Sequence, residues 1–171
     1  MKFAKHTPIA LFVGLQACVI QIIDNLLHGM LAPEGNVGFS WVSFLAWATY
    51  FMAGCTIFNG VRSFFGFIIG IVASIAIITM GSGAFASLGF FAFPIAILII
   101  AWLLFYLELA PSLISFVPAV YIASGAFFGC MNYVPGAPFG GIFVTEMVYL
   151  TLGLIFGWMT IAFRQWYENR K

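Results

Sequence analysis

The chain has 171 residues, of which 64% are hydrophobic and 6% charged, and its formal net charge is +1. Its mean hydropathy is +1.13, whereas soluble domains carry roughly 25% charged residues, so a water-solvated globule is excluded and lipid is the expected solvent. The near-neutral balance and the absence of a basic run exclude a nucleic-acid surface.

The first apolar segment, about 8–28, follows Lys2 and Lys5. Its basic tip and the lipoprotein-like Leu15-Gln16-Ala17-Cys18 invite reading as a targeting signal. Polar Gln16 weakens that match, the apolar run continues to Ile23, and further spans follow. A first transmembrane helix retained in the mature protein is therefore expected. At its far end Gln21, Asp24 and His28 stand at i, i+3 and i+7 as one polar stripe. Asp24 and His28 are spaced to pair, and a histidine beside a carboxylate can act as a pH gate or proton relay. A polar helix end reaching headgroups and water is the plainer reading.

Five more segments are long enough to approach the ~20 residues that cross a hydrocarbon core: about 40–59, 63–80, 85–107, 112–131 and 140–163. They are separated at Asn59-Gly-Val-Arg62, Gly81-Ser-Gly83, Glu108-Leu-Ala-Pro111 and Asn132 to Pro138. Pro94 and Pro118 are expected to interrupt the fourth and fifth spans, as kinks or as broken helices lining a site. Trp41, Trp158 and Trp166 suit interfacial belts, while Trp47, Tyr50 and Phe51 form either a packed core or a constriction. Six spans place all six basic residues (Lys2, Lys5, Arg62, Arg164, Arg170 and Lys171) on one side. The positive-inside bias makes that side cytoplasmic, with both termini there and with Asp24, His28 and Glu34 outside. Arg62 is then an orientation signal, or alternatively a gate or anion contact.

Shifted by 75 residues without gaps, 40–66 and 115–141 share seven identities in 27 positions, where chance in this composition gives about two. They are Ser40/Ser115, Val42/Val117, Ala48/Ala123, Gly54/Gly129, Cys55/Cys130, Phe64/Phe139 and Gly66/Gly141. The expected fold is all-α: one integral membrane domain over 1–171, built from two three-helix repeats, about 8–80 and about 85–163. Because each repeat has three spans, the second is inverted, an arrangement that places a solute path near the pseudo-two-fold axis.

Glu146 is the acid inside the last apolar run. On a helix it shares a stripe with Ile142, Tyr149, Gly153 and Gly157, and the two glycines make a small-xxx-small surface for a close helix neighbour. Gly54 and Gly129, mates under the shift, are expected in helix packing as well. Glu146 therefore faces protein, either as a protonated acid bonded to a hydroxyl such as Tyr149 or Thr145, or as a solute- or proton-binding acid in the outer half of a pathway. Under the 75-residue shift it falls opposite Ile71, so the acid occurs in one repeat only.

Phe39 to Phe51, Gly54-Cys55, Ser115-Phe-Val-Pro118 and Leu152 to Gly157 together resemble the YcdZ-like bacterial inner-membrane proteins, domain of unknown function 1097. The resemblance covers nearly the whole chain and implies a single-domain protein of a bacterial inner membrane. It assigns no substrate and no site residues.

Enzymatic chemistry has no support, since there is no GxSxG, HExxH or phosphate loop and only two histidines. The three cysteines, Cys18, Cys55 and Cys130, sit in apolar runs without metal-ligand spacing, so neither a metal, a cofactor nor a disulfide scaffold is expected. The expected role is a channel or facilitator for a small polar solute, with Glu146, Tyr149, Thr145, Asp24, His28 and Gln21 on its pathway. A proton-coupled small-metabolite transporter and a non-transporting membrane subunit or scaffold are the alternatives. The bilayer, the solute and further copies of the chain are the expected partners.

Overall fold

Lipid offers no donors or acceptors, so each apolar run must satisfy its backbone internally and helices are the available answer. The computed structural model describes residues 2–27 and 38–170. Its main elements are α1 (Lys2–Leu27), α2 (Ser40–Met52), α3 (Ile57–Thr79), α4 (Ala92–Phe105), α5 (Val117–Tyr133) and α6 (Phe139–Asn169). There is no strand among the described residues. A π turn at Met80–Ala84 prolongs α3, and 3-10 turns at Ala86–Phe91 and Tyr106–Leu109 flank α4.

Four helices among the described residues are long and apolar enough to cross a membrane: His6–Leu27, Ile57–Ala84, Ala86–Leu109 and Phe139–Asn169. The other two are shorter than expected from hydropathy. With 13 and 17 residues, α2 and α5 reach only about 20 and 26 Å, against a hydrocarbon core of ~30 Å.

The shortening of α2 has a local cause. The expected break at Asn59 to Arg62 falls at 53–56 instead, where Gly54 and Cys55 turn the chain at φ +103° and +62°. Glycine reaches that region without a Cβ penalty. Thr56 then caps α3, its hydroxyl accepting the Asn59 N–H at 3.2 Å. Gly54 thus serves a turn and not a helix crossing, and Arg62 lies within α3. The two prolines do not interrupt helices either. Pro94 is the third residue of α4 and Pro118 the second of α5, first-turn positions where no intrahelical donor is lost.

Two parallel helix pairs form the core, α2 against α6 and α3 against α5. Each pair closes on glycine. A Cβ on Gly153 of α6 would lie 2.1 Å from the Ser43 carbonyl oxygen of α2, and one on Gly70 of α3 would lie 2.1 Å from the Val120 carbonyl oxygen of α5. Backbone therefore meets backbone, as small residues allow where no hydrophobic force acts between helices. The next turns repeat the contact, with Gly157 against Tyr50 and Gly66 against Ala119. Gly129 of α5 faces the Trp41 ring of α2. Phe39, Phe67, Ile71, Phe127, Ile142 and Leu150 are fully buried between the pairs. By contrast α1 and α4 are peripheral, with 22% and 11% of their span residues buried, so most of their apolar surface is left to lipid.

Candidate functional site

The buried face of α6 carries Ile142, Glu146, Tyr149, Gly153 and Gly157. The close approach at Gly153 brings the Ser43 hydroxyl of α2 to the Tyr149 carbonyl, which it reaches at 2.8 Å. The Tyr149 hydroxyl points the other way and donates to Asp24 Oδ1 of α1 at 2.5 Å.

Asp24 is 3% exposed and has two further donors. The Phe39 N–H, at the start of α2, donates to Oδ1 at 2.9 Å, and Gln21 Nε2 donates to Oδ2 at 3.3 Å. The carboxylate thus sits at the positive end of the α2 dipole. Gln21, itself exposed, accepts from the Ser40 hydroxyl at 3.0 Å. The fold therefore brings together Gln21, Asp24 and Tyr149, joining three helices, whereas the expected Asp24–His28 pair involves a residue outside those described.

Glu146, one turn from Tyr149, does not join this network. It is fully buried, and neither carboxyl oxygen has a hydrogen-bond partner among the described residues. The hydroxyls expected to serve it are directed elsewhere, Tyr149 to Asp24 and Thr145 to the Gly141 carbonyl at 2.9 Å. Cys130 of α5, also fully buried, is close enough to Glu146 to interact with it electrostatically.

A second polar junction was not singled out from the sequence. Gln16 of α1 donates through Nε2 to the Phe156 carbonyl at 3.1 Å and accepts from the Thr160 hydroxyl at 2.7 Å. The signal was present: Gln16 interrupts an apolar run, two turns before Asp24. A third lies between α3 and α5, where the Ser74 and Ser124 hydroxyls are 2.6 Å apart. Arg62 donates to the Ser115 hydroxyl at 2.8 Å and lies over the Phe116 ring, tying α3 to the segment before α5.

The aromatic cluster resolves as packing at two of its three members. Trp47 and Tyr50 are 5% and 2% exposed, while Phe51 is 41% exposed. Two apolar grooves run along the α3/α6 seam. One of about 330 Å³ lies between Tyr50, Ile57, Phe64, Leu154 and Trp158. The other, about 500 Å³, lies between Ile23, Ile68, Phe143, Met147 and Leu152. Glu146 lines neither. No group of three or more His, Cys, Asp or Glu is placed to hold a metal ion among the described residues.

No curated protein and no solved structure matches this chain. A family model described as "Protein of unknown function (DUF1097)" matches residues 9–165. That match covers most of the chain, with α2 to α5 wholly inside it and α1 and α6 extending a few residues beyond, so the chain belongs to this family of unknown function.

Proposed function

We infer that the protein is a channel or facilitator for a small polar solute, crossing a bacterial inner membrane six times as two inverted three-helix repeats. On this reading both termini are cytoplasmic and several copies assemble.

The repeat is supported by an exchange relation in the packing. Inversion pairs α1 with α4, α2 with α5 and α3 with α6, so the α2/α6 contact becomes α5/α3. Those two contacts share a parallel direction and a glycine whose added Cβ would lie 2.1 Å from a carbonyl oxygen of the facing helix, and each carries a buried serine hydroxyl bonded across the seam, on α2 in one and on α3 in the other. They also revise the register of α3 on α6. Gly70 matches Gly153 at a separation of 83, not 75, because the chain after α5 turns later than the chain after α2. Glu146 is then the counterpart of Ser63, another buried polar residue, and no longer that of Ile71.

The observation that carries the functional reading is the carboxyl of Glu146. A fully buried acid with no partner is costly by several kcal/mol when charged, and an ionisable residue inside a membrane bundle marks a solute or ion path by default. Small-residue helix crossings would have served the scaffold without it.

Flux into liposomes tests this. Purified protein should raise uptake of at least one class among small amides, polyols and carboxylates, and Glu146→Gln should alter that flux while the protein stays folded. Uptake no faster than in empty vesicles, across several pH values, overturns the proposal.

A further inference from the structure

The geometry points to Glu146 as a site that binds and releases a single proton inside the helix core, with no metal cation as its ligand.

Both Glu146 oxygens are buried and unpartnered, so the side chain is shaped to accept something that the surrounding helices do not supply. The groups facing it are few. On α5 there is Cys130. On α1 there is Asp24, already engaged by Tyr149, the Phe39 N–H and Gln21. Tyr149 is the titratable neighbour on α6 itself. α2 carries no charged side chain, and its one tyrosine, Tyr50, packs on Gly157, about three turns along α6 from Glu146. The one basic residue of α3, Arg62, is held by Ser115 and Phe116, near the end of α3 that packs beside Trp158 and away from Glu146. No cation of the described chain is therefore placed to neutralise the acid.

The ligand must then be cationic, and the chemistry of the surroundings selects among cations. Hard metal ions need a shell of several oxygen ligands at fixed distances. Among the described residues no group of three or more His, Cys, Asp or Glu could hold a metal ion, the Thr145 hydroxyl donates to Gly141, and Ile142 and Leu150 on the same helix are fully buried and apolar. An organic ammonium needs a cavity, and neither groove beside α6 is lined by Glu146. A proton requires neither a shell nor a cavity. This inference rests on the burial of Glu146, its unpartnered oxygens and the apolar groups around it, and is independent of whether a solute crosses.

Two measurements on the full chain in lipid vesicles test it. Dicyclohexylcarbodiimide reacts with buried carboxyls in their acid form, and mass spectrometry of the digested protein locates the adduct. Modification should fall on Glu146 in preference to Glu108 and Glu168, decline as pH rises, and be unchanged by added sodium or lithium ions. Infrared difference spectra between acidic and alkaline samples should contain a carboxylic-acid carbonyl component that Glu146→Gln removes and that Glu108→Gln and Glu168→Gln leave in place, with helix content unchanged by circular dichroism. Protection by sodium or lithium at constant pH would overturn the inference in favour of a metal cation. An acid band that keeps every component of the native chain's in Glu146→Gln would overturn it outright. Neither readout uses flux, so a failure of transport leaves this result standing, and the reverse also holds.

Discussion

The hydroxyl of Tyr149 lies 2.5 Å from Asp24 Oδ1, joining α6 to α1 across 125 residues of sequence. The same carboxylate receives the Phe39 N–H, so one acid ties the C-terminal end of α1, the start of α2 and Tyr149 of α6 together. Glu146, one turn along α6, has no comparable bond. Two acids of similar burial thus have opposite environments, one saturated with donors and one without any among the described residues.

Removing the donor from that junction should cost stability in proportion to its charged character. Hydrogen bonds to charged groups contribute about 1.5–3 kcal/mol, while side-chain bonds in membrane proteins average nearer ~0.6 kcal/mol. Because Asp24 keeps the Phe39 N–H, Tyr149→Phe is expected to lose about 1–2 kcal/mol. Asp24→Ala should lose more, since it strands the Tyr149 hydroxyl and the Phe39 N–H and also removes the Gln21 contact, and the double variant should fall short of the sum. Chemical unfolding in detergent micelles reads all three; an unshifted midpoint in Tyr149→Phe would mean the bond contributes nothing.

The glycine crossings give a sharper contrast. Gly153→Ala and Gly70→Ala each drive a methyl to within 2.1 Å of a backbone carbonyl, and overpacking of this kind costs about 1–3 kcal/mol or more. Backbone cannot rotate away as a side chain does. Gly125→Ala in α5 meets nothing within 4 Å and should be neutral or gain up to about 1 kcal/mol from helix propensity. Thermal unfolding of the three variants side by side checks the ordering; equal midpoints would contradict the close contacts.

At the Gln16–Thr160 junction the expected effect is smaller. Thr160→Val removes one donor to Gln16 Oε1 but keeps the side-chain shape, so a loss of roughly 0.6–1.7 kcal/mol is expected. Gln16→Leu removes both polar groups of Gln16 and buries an apolar side chain in an apolar setting, freeing the Thr160 hydroxyl to donate to the Phe156 carbonyl 2.9 Å away. The two single variants should therefore differ little in unfolding midpoint. A Gln16→Leu chain that fails to fold would show that the junction orients α1.

Thiol accessibility tests the packing without substitution. Cys18 is exposed on α1, Cys55 is half-buried in the α2–α3 turn, and Cys130 is buried in α5. In detergent micelles a maleimide should modify the first two and spare Cys130 until the helices separate. Modification of Cys130 at the same rate as Cys18 would place α5 outside the core.

Much of the fold follows from hydropathy and composition, because a bilayer forces each apolar run into a helix. The all-helical class, the order of the segments and the turn before Pro138 needed no more than that. Helix ends were less legible. Asn59-Gly60 looked like a break, yet Gly54 and Cys55 adopt the left-handed conformations that turn the chain, and capping by Thr56 then carries Asn59 and Gly60 into α3. The stripe of Glu146, Tyr149, Gly153 and Gly157 was readable from 3.6-residue spacing, and so was its burial against protein. Its partners were not.

The sequence by itself determined the solvent, the helices, the buried face of α6 and the presence of an acid on it, since each depends on local composition and period. Tertiary structure alone decided which acid is satisfied. Whether Tyr149 turns toward Asp24 or toward Glu146 depends on where α1 lies against α6, and α1 also meets α6 at the Gln16 junction with Phe156 and Thr160, while α2 meets it at Gly153, all many residues away along the chain. Hydrogen bonds between helices are relations of three-dimensional register, and no one-dimensional spacing within α6 contains them.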